Sequence, residues 1–385
     1  MNAIIESILD TDLYKLTQQQ CVLHQYPSAT ARYTFKCRNK GVKLGFLAES
    51  VRKQVQTMSE IKLTTNERMY LETIRFLRPD YLDYLGAYRF NPEQVTIYTG
   101  IGEDLIVEIY GTWLESILWE VPLLAIINEL YFSYTTDFRT IEGSGIRNLQ
   151  DKIDIIKQYP HFTFSDFGTR RRYSKKWQAY VVKTLCACCP QLVGTSNVKL
   201  AQDNGIKAIG TQAHEFISGH IALVDNIREA QKRAFYVWLQ EYGADLGIAL
   251  TDTFTTKAFY QDFGVVLANA FSGVRQDSGD VFQFGREMIE HYKSLGIDPR
   301  TKTIVFSDGL DIPKAISIYK EFTGLVGTSF GIGTNLTNNL GAEPLNIVIK
   351  LFECNDKPVV KLSDNSGKSI GDEFVIDRIK KVYGV

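Results

Sequence analysis

Seven short apolar segments recur along the middle of the chain, and each is closed by a cluster of small or polar residues. They cover residues 162–166, 192–195, 208–211, 247–252, 271–275, 303–308 and 325–329. Helical patterns lie between most of them, for example over residues 221–241 and 281–295. Alternating strands and helices build a parallel sheet, and this many units favours a closed, irregular βα barrel. We therefore predict an α/β fold in which the polar clusters lie at the carboxyl ends of the strands.

The two ends of the chain predict further strands and helices. Alternation over residues 31–37 would place Tyr33, Phe35 and Cys37 on one face of a strand. The remaining predicted elements are strands over residues 94–100 and 105–111, helices over residues 4–16, 45–57 and 66–78, and a C-terminal hairpin of residues 345–354 and 358–362. We expect strands from both ends to meet in one α+β module.

The charge balance excludes some classes of protein. Lys and Arg number 43 against 44 Asp and Glu, and the net charge of −1 argues against a chain that coats nucleic acid or an anionic membrane. The longest apolar run, residues 121–127, is far shorter than the roughly 18 residues that a membrane helix needs. The acidic start does not resemble a secretory signal, and the six cysteines do not form a disulfide framework. We expect a cytoplasmic protein that binds neither nucleic acid nor membrane.

Two clusters late in the predicted barrel suit a phosphorylated ligand. Residues 327–335 (GTSFGIGTN) follow a strand, and their glycines allow backbone N–H groups to approach an anion closely. Residues 307–311 (SDGLD) follow the preceding strand and add a carboxylate suited to ribose hydroxyls or a hydrated magnesium ion. The alternative is that glycine, serine and aspartate simply form the connecting loops.

Arginine and aspartate occur together in residues 273–280 (GVRQDSGD). The guanidinium fork of Arg275 suits a planar carboxylate or a phosphate, and Asp277 can accept hydrogen bonds from a sugar diol. A surface turn held by salt bridges is the alternative.

Residues 165–172 (SDFGTRRR) superficially resemble the DFG motif of protein kinases, but the other kinase motifs are absent from the sequence. Three consecutive arginines most often form a solvated face. Phe167 and Arg170, however, follow a predicted strand end, where an aromatic face and a guanidinium could receive a flat anionic ring.

His214, one of only five histidines, lies in residues 210–215 (GTQAHE). The next predicted strand ends at Asp252, whose carboxylate could hold the imidazole in one tautomer. Such a pair raises the nucleophilicity of the free ring nitrogen. A histidine with a purely structural role is the alternative.

Taken in order, these motifs resemble those of nicotinate phosphoribosyltransferases over nearly the whole chain. The matching segments are residues 11–16 (TDLYKL), 35–38 (FKCR), 164–170 (FSDFGTR), 194–197 (GTSN), 210–215, 273–279 and 330–334 (FGIGT). The resemblance implies an N-terminal α/β sandwich domain over residues 1–125, an irregular, TIM-like βα barrel with the phosphoribosyl site over residues 126–343, and C-terminal strands over residues 344–385 that return to the sandwich. It also implies a homodimer whose subunits share each active site.

The resemblance implies a reaction as well. Nicotinate and phosphoribosyl pyrophosphate would give nicotinate mononucleotide and pyrophosphate in NAD biosynthesis, with ATP hydrolysed alongside. ATP would phosphorylate His214 to a phosphohistidine, with Asp252 orienting the imidazole and Glu215 assisting. Phosphorylation would favour a conformation that binds substrates tightly, and dephosphorylation would then release product.

The resemblance assigns most candidate side chains to one part of a substrate each. Arg38 and Mg²⁺ would contact the pyrophosphate, and the resemblance leaves the protein ligands of Mg²⁺ open. The ribose would be bound by Asp277 and Asp308, and phosphate by Gly309, Gly331, Gly333 and Thr334, with Lys361 and Lys368 as looser phosphate contacts. The pyridine would lie between Phe167 and Tyr14 of the other subunit, with Arg170 and Arg275 near the ring and its carboxylate.

Ser196 bears on the choice of pyridine. Relatives that use nicotinamide carry Asp at this position, which accepts from a carboxamide and would repel a carboxylate. A Ser hydroxyl can instead donate to the carboxylate of nicotinate, and leaving a buried polar group unmatched costs roughly 1–3 kcal/mol. We therefore predict a strong preference for nicotinate.

Other functions remain open at this point. A nicotinamide- or quinolinate-using phosphoribosyltransferase is the nearest alternative in chemistry. A non-catalytic pyridine-nucleotide sensor on the same fold is a second, although a binding protein has no need of a phosphorylatable His214. A nucleic-acid binder is a third, motivated by the three arginines and opposed by the net charge of −1.

Overall fold

The computed structural model of the protein describes residues 2–365, 369 and 371–385, so that Lys368 lies outside the described residues. The strands are β1 Thr30–Cys37, β2 Val95–Thr99, β3 Leu105–Thr112, β4 Phe164–Asp166, β5 Leu192–Thr195, β6 Lys207–Ala208, β7 Ile248–Leu250, β8 Gly273–Gln276, β9 Thr303–Phe306, β10 Gly327–Ile332, β11 Ile347–Cys354 and β12 Lys357–Pro358.

The α-helices lie between these strands and at the C-terminus. They are α1 Leu13–Gln25, α2 Ala48–Thr57, α3 Thr65–Glu72, α4 Pro79–Ala87, α5 Trp113–Ser116, α6 Glu120–Thr135, α7 Phe138–Ile156, α8 Lys175–Cys188, α9 Val198–Asn204, α10 His214–Leu223, α11 Ala230–Tyr242, α12 Thr256–Asp262, α13 Val265–Ala270, α14 Val281–Ser294, α15 Ile312–Phe322, α16 Thr334–Thr337 and α17 Glu373–Tyr383.

The chain divides into two compact units. The first unit comprises Met1–Ile209 and Ile332–Lys350, and the second comprises Gly210–Gly331 and Leu351–Val385. The three-part division predicted from the sequence, with boundaries after residues 125 and 343, stays a prediction.

The first unit contains an antiparallel sheet in which β3 pairs with both β1 and β2. Ala31, Tyr33 and Phe35 on β1 are buried while their neighbours are more exposed, which confirms the predicted alternation. The C-terminal part of the chain returns to this sheet, because the Arg38 N–H donates to the carbonyl of Asn346, immediately before β11.

Three parallel strands of the first unit follow the order β6-β5-β4, and four of the second follow the order β10-β9-β8-β7. Each of the seven segments predicted in the middle of the sequence overlaps one of these strands. The α/β class is therefore confirmed, whereas closure into a TIM-like barrel stays a prediction. In the second unit β11 and β12 form the predicted hairpin, but β12 has only two residues.

Three predicted helices differ from the structure. The pattern over residues 221–241 predicts one helix, but α10 ends at Leu223 and α11 begins only at Ala230. The pattern over residues 4–16 predicts one helix, but α1 begins only at Leu13. The preceding residues form a turn, in which the Asp10 N–H donates to the carbonyl of Ser7, and then bond to another loop: the N–H groups of Val198 and Lys199 donate to the carbonyls of Thr11 and Leu9. The helix predicted over residues 66–78 ends at Glu72, and α4 begins at Pro79, a residue favoured in the first turn of a helix.

One helical stretch, Trp113–Thr135, is long and apolar enough by length and composition to cross a membrane. Of its most apolar window, 83% is buried inside the protein, as in the core helix of a globular unit. Trp113, Trp119 and Phe132 all lie in the core of the first unit. Packing within this unit therefore accounts for the apolar character of the stretch.

Candidate active site

The predicted site residues fall into one group in each unit, and most follow the carboxyl end of a parallel strand. In the first unit they are Tyr14, Arg38, Phe167, Arg170, Ser196, Gly333 and Thr334. In the second unit they are His214, Glu215, Asp252, Arg275, Asp277, Asp308, Gly309 and Gly331.

His214 and Asp252 form the centre of the second-unit group. His214 is the first residue of α10, and Asp252 lies two residues beyond β7. The imidazole Nε2 is 2.9 Å from Oδ1 of Asp252, and 3.6 Å from Oδ2 of Asp277. The contact between His214 and Asp252 that the sequence predicts is therefore present, and both carboxylates face the same ring nitrogen.

The second oxygen of Asp252 also has close partners. The carboxylate is fully buried, and its Oδ2 accepts a hydrogen bond of 2.7 Å from the Ser278 hydroxyl. The ammonium of Lys361 lies 3.2 Å from the same oxygen. Because each oxygen has its own donors, the orientation of the carboxylate toward His214 is fixed from both sides.

Burial and charge set the protonation of this pair. Burial first, and then the charge of Lys361, lower the pKa of His214 to about 4, although Asp252 and Asp277 act in the opposite direction. Burial by itself would raise the pKa of Asp252, but Lys361, His214 and Ser278 outweigh it and hold that pKa well below its usual range. At neutral pH the pair therefore consists of a neutral imidazole and a carboxylate.

Arg275 and Asp277 extend the group along β8. Arg275 Nη1 donates to the Thr211 hydroxyl at 2.6 Å, and its Nη2 lies 3.8 Å from Oδ2 of Asp277. The Ser307 hydroxyl, after β9, donates to the other oxygen of Asp277 at 2.8 Å. These contacts exclude the alternative of an exposed surface turn for Arg275, whose side chain is only 12% exposed.

The ligand atoms of His214, Asp252 and Asp277 lie within 4.8 Å of one another, which raises the question of a bound metal ion. Magnesium prefers oxygen ligands in a near-octahedral arrangement. Here both oxygens of Asp252 already face proton donors, and the imidazole supplies a nitrogen. These residues do not fit a resident Mg²⁺ ion.

The remaining second-unit candidates lie around this centre. Glu215 follows His214 on α10 and is buried. Asp308 and Gly309 come directly after β9, and Gly309 has a φ of +58°. Gly331 lies within β10.

In the first unit, the turn that carries Phe167 is built on the buried carboxylate of Asp166. Its Oδ1 accepts from the Gly168 N–H at 2.8 Å, and its Oδ2 accepts from Thr195 and Gln178 at 2.8 and 2.9 Å. A Cβ at Gly168 would lie 2.2 Å from the Thr337 hydroxyl, so this position requires glycine. The Phe167 ring itself is half-buried.

Arg170 lies between two carboxylates of the same unit. Its Nε is 3.6 Å from Oδ2 of Asp12, and its Nη1 is 3.6 Å from Oε1 of Glu120. The side chain is 46% exposed, so the guanidinium keeps an open face. Burial raises the pKa of Asp12 against the opposing charge of Arg170, whereas Lys15 and Arg170 outweigh burial and lower the pKa of Glu120.

Tyr14 and Lys15 meet at Glu120, the first residue of α6. The Lys15 ammonium, fully buried, is 2.5 Å from Oε2 of Glu120, and the Tyr14 hydroxyl donates to the same oxygen at 3.4 Å. The guanidinium of Arg170 lies 5.8 Å from the centre of the Tyr14 ring. Glu120 therefore links Tyr14 and Arg170 within a single chain.

Ser196 is buried, and its hydroxyl donates to Oδ1 of Asp12 at 2.7 Å. The hydrogen-bond donor that the sequence assigns to a substrate carboxylate thus has a protein acceptor in the structure. The role of Ser196 in the choice between nicotinate and nicotinamide stays a prediction. The sequence did not suggest Asp12 as a hydrogen-bond partner of Ser196.

Arg38 and the Gly-rich loop complete the first-unit group. Arg38 follows β1 and is half-buried, and its guanidinium has no hydrogen-bond or ion-pair partner among the described residues. A Cβ at Gly333 would lie 3.1 Å from the carbonyl oxygen of Phe167, and Thr334 follows as the first residue of α16. The loop therefore packs directly against the Phe167 turn.

The sequence did not single out Asp10, Asp12, Glu120, Arg172 or Ser278. Arg172 and Asp10 form a bidentate ion pair at 2.6 and 2.9 Å, both buried, and Asn197 donates to Asp10 at 2.8 Å. The ion pair holds the segment before α1 against the loop after β4, and the bond from Asn197 joins the same segment to the loop after β5. Of these residues, Glu120 could have been noticed in the sequence, because its carboxylate directly precedes the most apolar run of the chain, residues 121–127.

Comparison with known proteins agrees with this architecture. Residues 162–385 match the model of the nicotinate phosphoribosyltransferase (NAPRTase) family, and residues 9–128 match the N-terminal domain of that family. The chain is 45% identical to nicotinate phosphoribosyltransferase of Photorhabdus laumondii, over 99% of this chain and 96% of the relative. It is 43% identical to the enzyme of that name from Burkholderia mallei, over 99% and 97% of the two chains.

Solved structures give the same result. A nicotinate phosphoribosyltransferase from Porphyromonas gingivalis superposes with a TM-score of 0.94 at 37% identity, over 99% of this chain and 100% of that one. The one from Vibrio cholerae superposes with a TM-score of 0.93 at 36% identity, over 100% and 94%. Sequence identity of this extent, together with a fold shared along its whole length, shows that the chain belongs to the nicotinate phosphoribosyltransferase family of enzymes.

Proposed function

We propose that the chain transfers the phosphoribosyl group of phosphoribosyl pyrophosphate to nicotinate, and that it hydrolyses ATP alongside through a phosphohistidine at His214. The products are nicotinate mononucleotide, a precursor of NAD, and pyrophosphate. The observation that carries the ATP-coupled part is the neutral imidazole of His214 held at 2.9 Å by the buried carboxylate of Asp252.

The geometry selects the nitrogen that reacts. Because Nε2 faces Asp252, it carries the ring proton, and the lone pair lies on Nδ1. In the phosphoryl step this lone pair forms the N–P bond while the bond from the γ-phosphorus to its bridging oxygen breaks, and ADP leaves. The ring then carries positive charge, which Asp252 stabilises through the retained Nε2 proton. Glu215, the next residue on α10, assists.

The transfer itself is a displacement at the anomeric carbon of the ribose, where positive charge develops. The chain's tasks are to position both reactants, to neutralise the departing pyrophosphate and to exclude water. Arg38 suits the pyrophosphate because its half-buried guanidinium has no protein partner among the described residues. Mg²⁺ enters with the pyrophosphate as part of the substrate, since the carboxylates near His214 do not fit a resident ion.

The other predicted roles follow the chemistry of each side chain. Asp277 and Asp308 bind the ribose hydroxyls, and the loop with Gly331, Gly333 and Thr334, joined by Gly309, binds phosphate. Arg275 suits the carboxylate or a phosphate, because its Nε is buried without a hydrogen-bond partner among the described residues.

Three side chains of the first unit suit the pyridine. Phe167 offers a half-buried aromatic face, and the open face of Arg170 offers a charge for the carboxylate of nicotinate. Tyr14 would cover the second face of a pyridine in a homodimer whose subunits share each active site. We further propose a cytoplasmic location and an irregular, TIM-like barrel formed by the parallel strands.

ATP hydrolysis drives the reaction if the protein with phosphorylated His214 and the protein with free His214 differ in their affinity for substrates and product. Phosphorylated His214 would favour a state that binds the substrates tightly, and hydrolysis of the phosphohistidine would return the state that releases product. Each 1.4 kcal/mol of difference between these states is worth about tenfold in binding.

Assays of the three pyridines side by side test this proposal. Nicotinate, nicotinamide and quinolinate are each incubated with phosphoribosyl pyrophosphate and Mg²⁺, with and without ATP. We expect mononucleotide from nicotinate alone, and a lower KM for both substrates when ATP is present. No turnover of any pyridine would favour the sensor, and an ATP-independent KM would contradict the coupling.

A further inference from the structure

The C-terminal segment of the second unit brings a lysine to the carboxylate that orients His214. The ammonium of Lys361 lies 3.2 Å from Oδ2 of Asp252, and its side chain is only 10% exposed. Ser278 donates to the same oxygen at 2.7 Å, and the Ser363 hydroxyl lies 3.5 Å from it. The other oxygen, Oδ1, faces the imidazole Nε2 at 2.9 Å.

The position of this lysine is fixed by its neighbours along the chain. The Leu362 N–H donates to the carbonyl of Thr253, one residue beyond Asp252, at 2.8 Å. Asp364 accepts from the backbone N–H and the hydroxyl of Thr256 at 2.8 and 2.5 Å. The Asp364 N–H donates in turn to the Ser278 hydroxyl at 3.1 Å. Residues 361–364 are thus bound to the ends of β7 and β8, and Lys361 is held in place as part of that contact.

The charges around the imidazole explain why the lysine matters. Within the second unit, Asp252, which is fully buried, and Asp277, which is 28% exposed, face His214, and the two carboxylates would together favour a second proton on the ring. Arg275 compensates Asp277 at 3.8 Å, and Lys361 compensates Asp252 at 3.2 Å.

Two further carboxylates belong to the same unit: Glu215 follows His214 on α10, and Asp364 accepts from the backbone N–H of Thr256. Lys361 therefore directly contacts the carboxylate that orients the imidazole.

We propose that Lys361 is a positioning residue for His214: its ammonium takes up part of the charge of Asp252, so that the imidazole stays neutral, with its proton on Nε2, and its Nδ1 lone pair is available to accept a phosphoryl group. This inference rests on the proposed phosphohistidine. In this role Lys361 acts through Asp252 and makes no direct contact with a substrate phosphate. Burial and the charge of Lys361 are the two main causes of the lowered pKa of His214, in agreement with this role.

The test compares Lys361→Met with Lys361→Arg, which keeps the charge, and with Lys357→Met, which removes an exposed lysine of β12. An NMR titration of the His214 ring protons, assigned with His214→Ala, needs no substrate. We expect the pKa of His214 to rise from about 4 toward its ordinary value of about 6.5 in Lys361→Met, and to stay low in both other variants. An unchanged titration in Lys361→Met would overturn the proposal.

Phosphorylation by γ-labelled ATP as a function of pH provides the second readout. If the pKa reaches about 6.5, Lys361→Met should lose about tenfold in rate at pH 5.5 and approach the wild type at pH 8. A uniform loss at every pH would instead indicate a phosphate contact and would overturn the proposal. Should Lys361→Met not fold, Lys361→Gln replaces it in both measurements. Wild-type protein that takes up no label at any pH would reject the phosphohistidine, and the NMR titration would still decide the electrostatic role of Lys361.

Discussion

The imidazole of His214 turns Nε2 toward Asp252, with 2.9 Å between Nε2 and Oδ1, and leaves Nδ1 as the nitrogen available for chemistry. We therefore predict that phosphorylation by ATP yields the Nδ1 isomer of phosphohistidine. Phosphorus NMR of the phosphorylated, denatured protein at alkaline pH distinguishes the two isomers. A signal from the Nε2 isomer would show that the ring reacts in another orientation.

Replacing Asp252 by Asn should keep the shape of the pair and remove its charge. The amide no longer stabilises the cationic ring that forms with the N–P bond, and it leaves the Lys361 ammonium buried without a counter-charge. We expect the phosphorylation rate to fall by about 10²- to 10⁴-fold, the range attributed to a positioned acid or base. Rapid-quench measurement with labelled ATP gives this rate, and a loss below tenfold would argue against the pair.

Substitution of Ser196 tests the choice of pyridine. In Ser196→Asp a second carboxylate would lie beside Asp12, whose Oδ1 is 2.7 Å from the present hydroxyl, and one of the two acids would have to hold a proton. We expect kcat/KM for nicotinate to fall by about tenfold or more relative to nicotinamide, since 1–3 kcal/mol of unmatched polar burial converts to such factors. Ser196→Ala, which adds no charge, is the control. Equal acid-to-amide ratios in all three proteins would refute the role of Ser196.

Glu120 should contribute to both stability and substrate binding. Glu120→Ala leaves the fully buried Lys15 ammonium without its partner at 2.5 Å, and breaking a buried ion pair typically costs about 3–5 kcal/mol. It also releases Tyr14 and one side of Arg170. We expect a lower urea midpoint and a higher KM for nicotinate. The double variant Lys15→Met with Glu120→Ala should recover part of the stability but not the KM, and recovery of both would assign Glu120 a structural role alone.

Acid should weaken the contact between the segment before α1 and the loop after β4, which Asp10 and Arg172 form. Burial raises the pKa of Asp10, but the charge and hydrogen bonds of Arg172 outweigh it, so that the pKa is lower in the folded protein than in the unfolded chain. The stabilisation is then complete above the unfolded value near 3.9 and is lost as the pH falls through the folded value. Urea unfolding should show Asp10→Asn less stable than wild type at pH 6, and a smaller difference at pH 3. A difference independent of pH would contradict this.

Local sequence patterns predicted the parts of the fold that depend on local chemistry. Each short apolar segment of the middle region overlaps a parallel strand, and β4, β7 and β9 are buried on both faces along most of their length. The alternation on β1 matches its buried face. The contact between His214 and Asp252 was also predicted, from two polar clusters that each follow a predicted strand, although β6 pairs with β5 and β7 pairs with β8.

The sequence patterns missed what depends on long-range pairing. The carboxylates of Asp10 and Asp12 lie before a helix, where they suggest a helical first turn, but Arg172 and Ser196, more than 150 residues away, bind them instead. Glu120 and Lys15 are separated by 105 positions, and only the folded chain brings their charges together. Lys361 reaches Asp252 from the C-terminal segment, and its position in the sequence suggested only a loose phosphate contact.

The most direct test of the ATP-coupled mechanism is the incorporation of label from γ-labelled ATP into the intact protein. We predict acid-labile, base-stable phosphate at about one group per chain, absent from folded His214→Ala and unchanged in His161→Ala, which removes an exposed histidine. Label that persists in His214→Ala, or wild-type protein that turns over nicotinate with ATP yet never carries phosphate, would contradict the account.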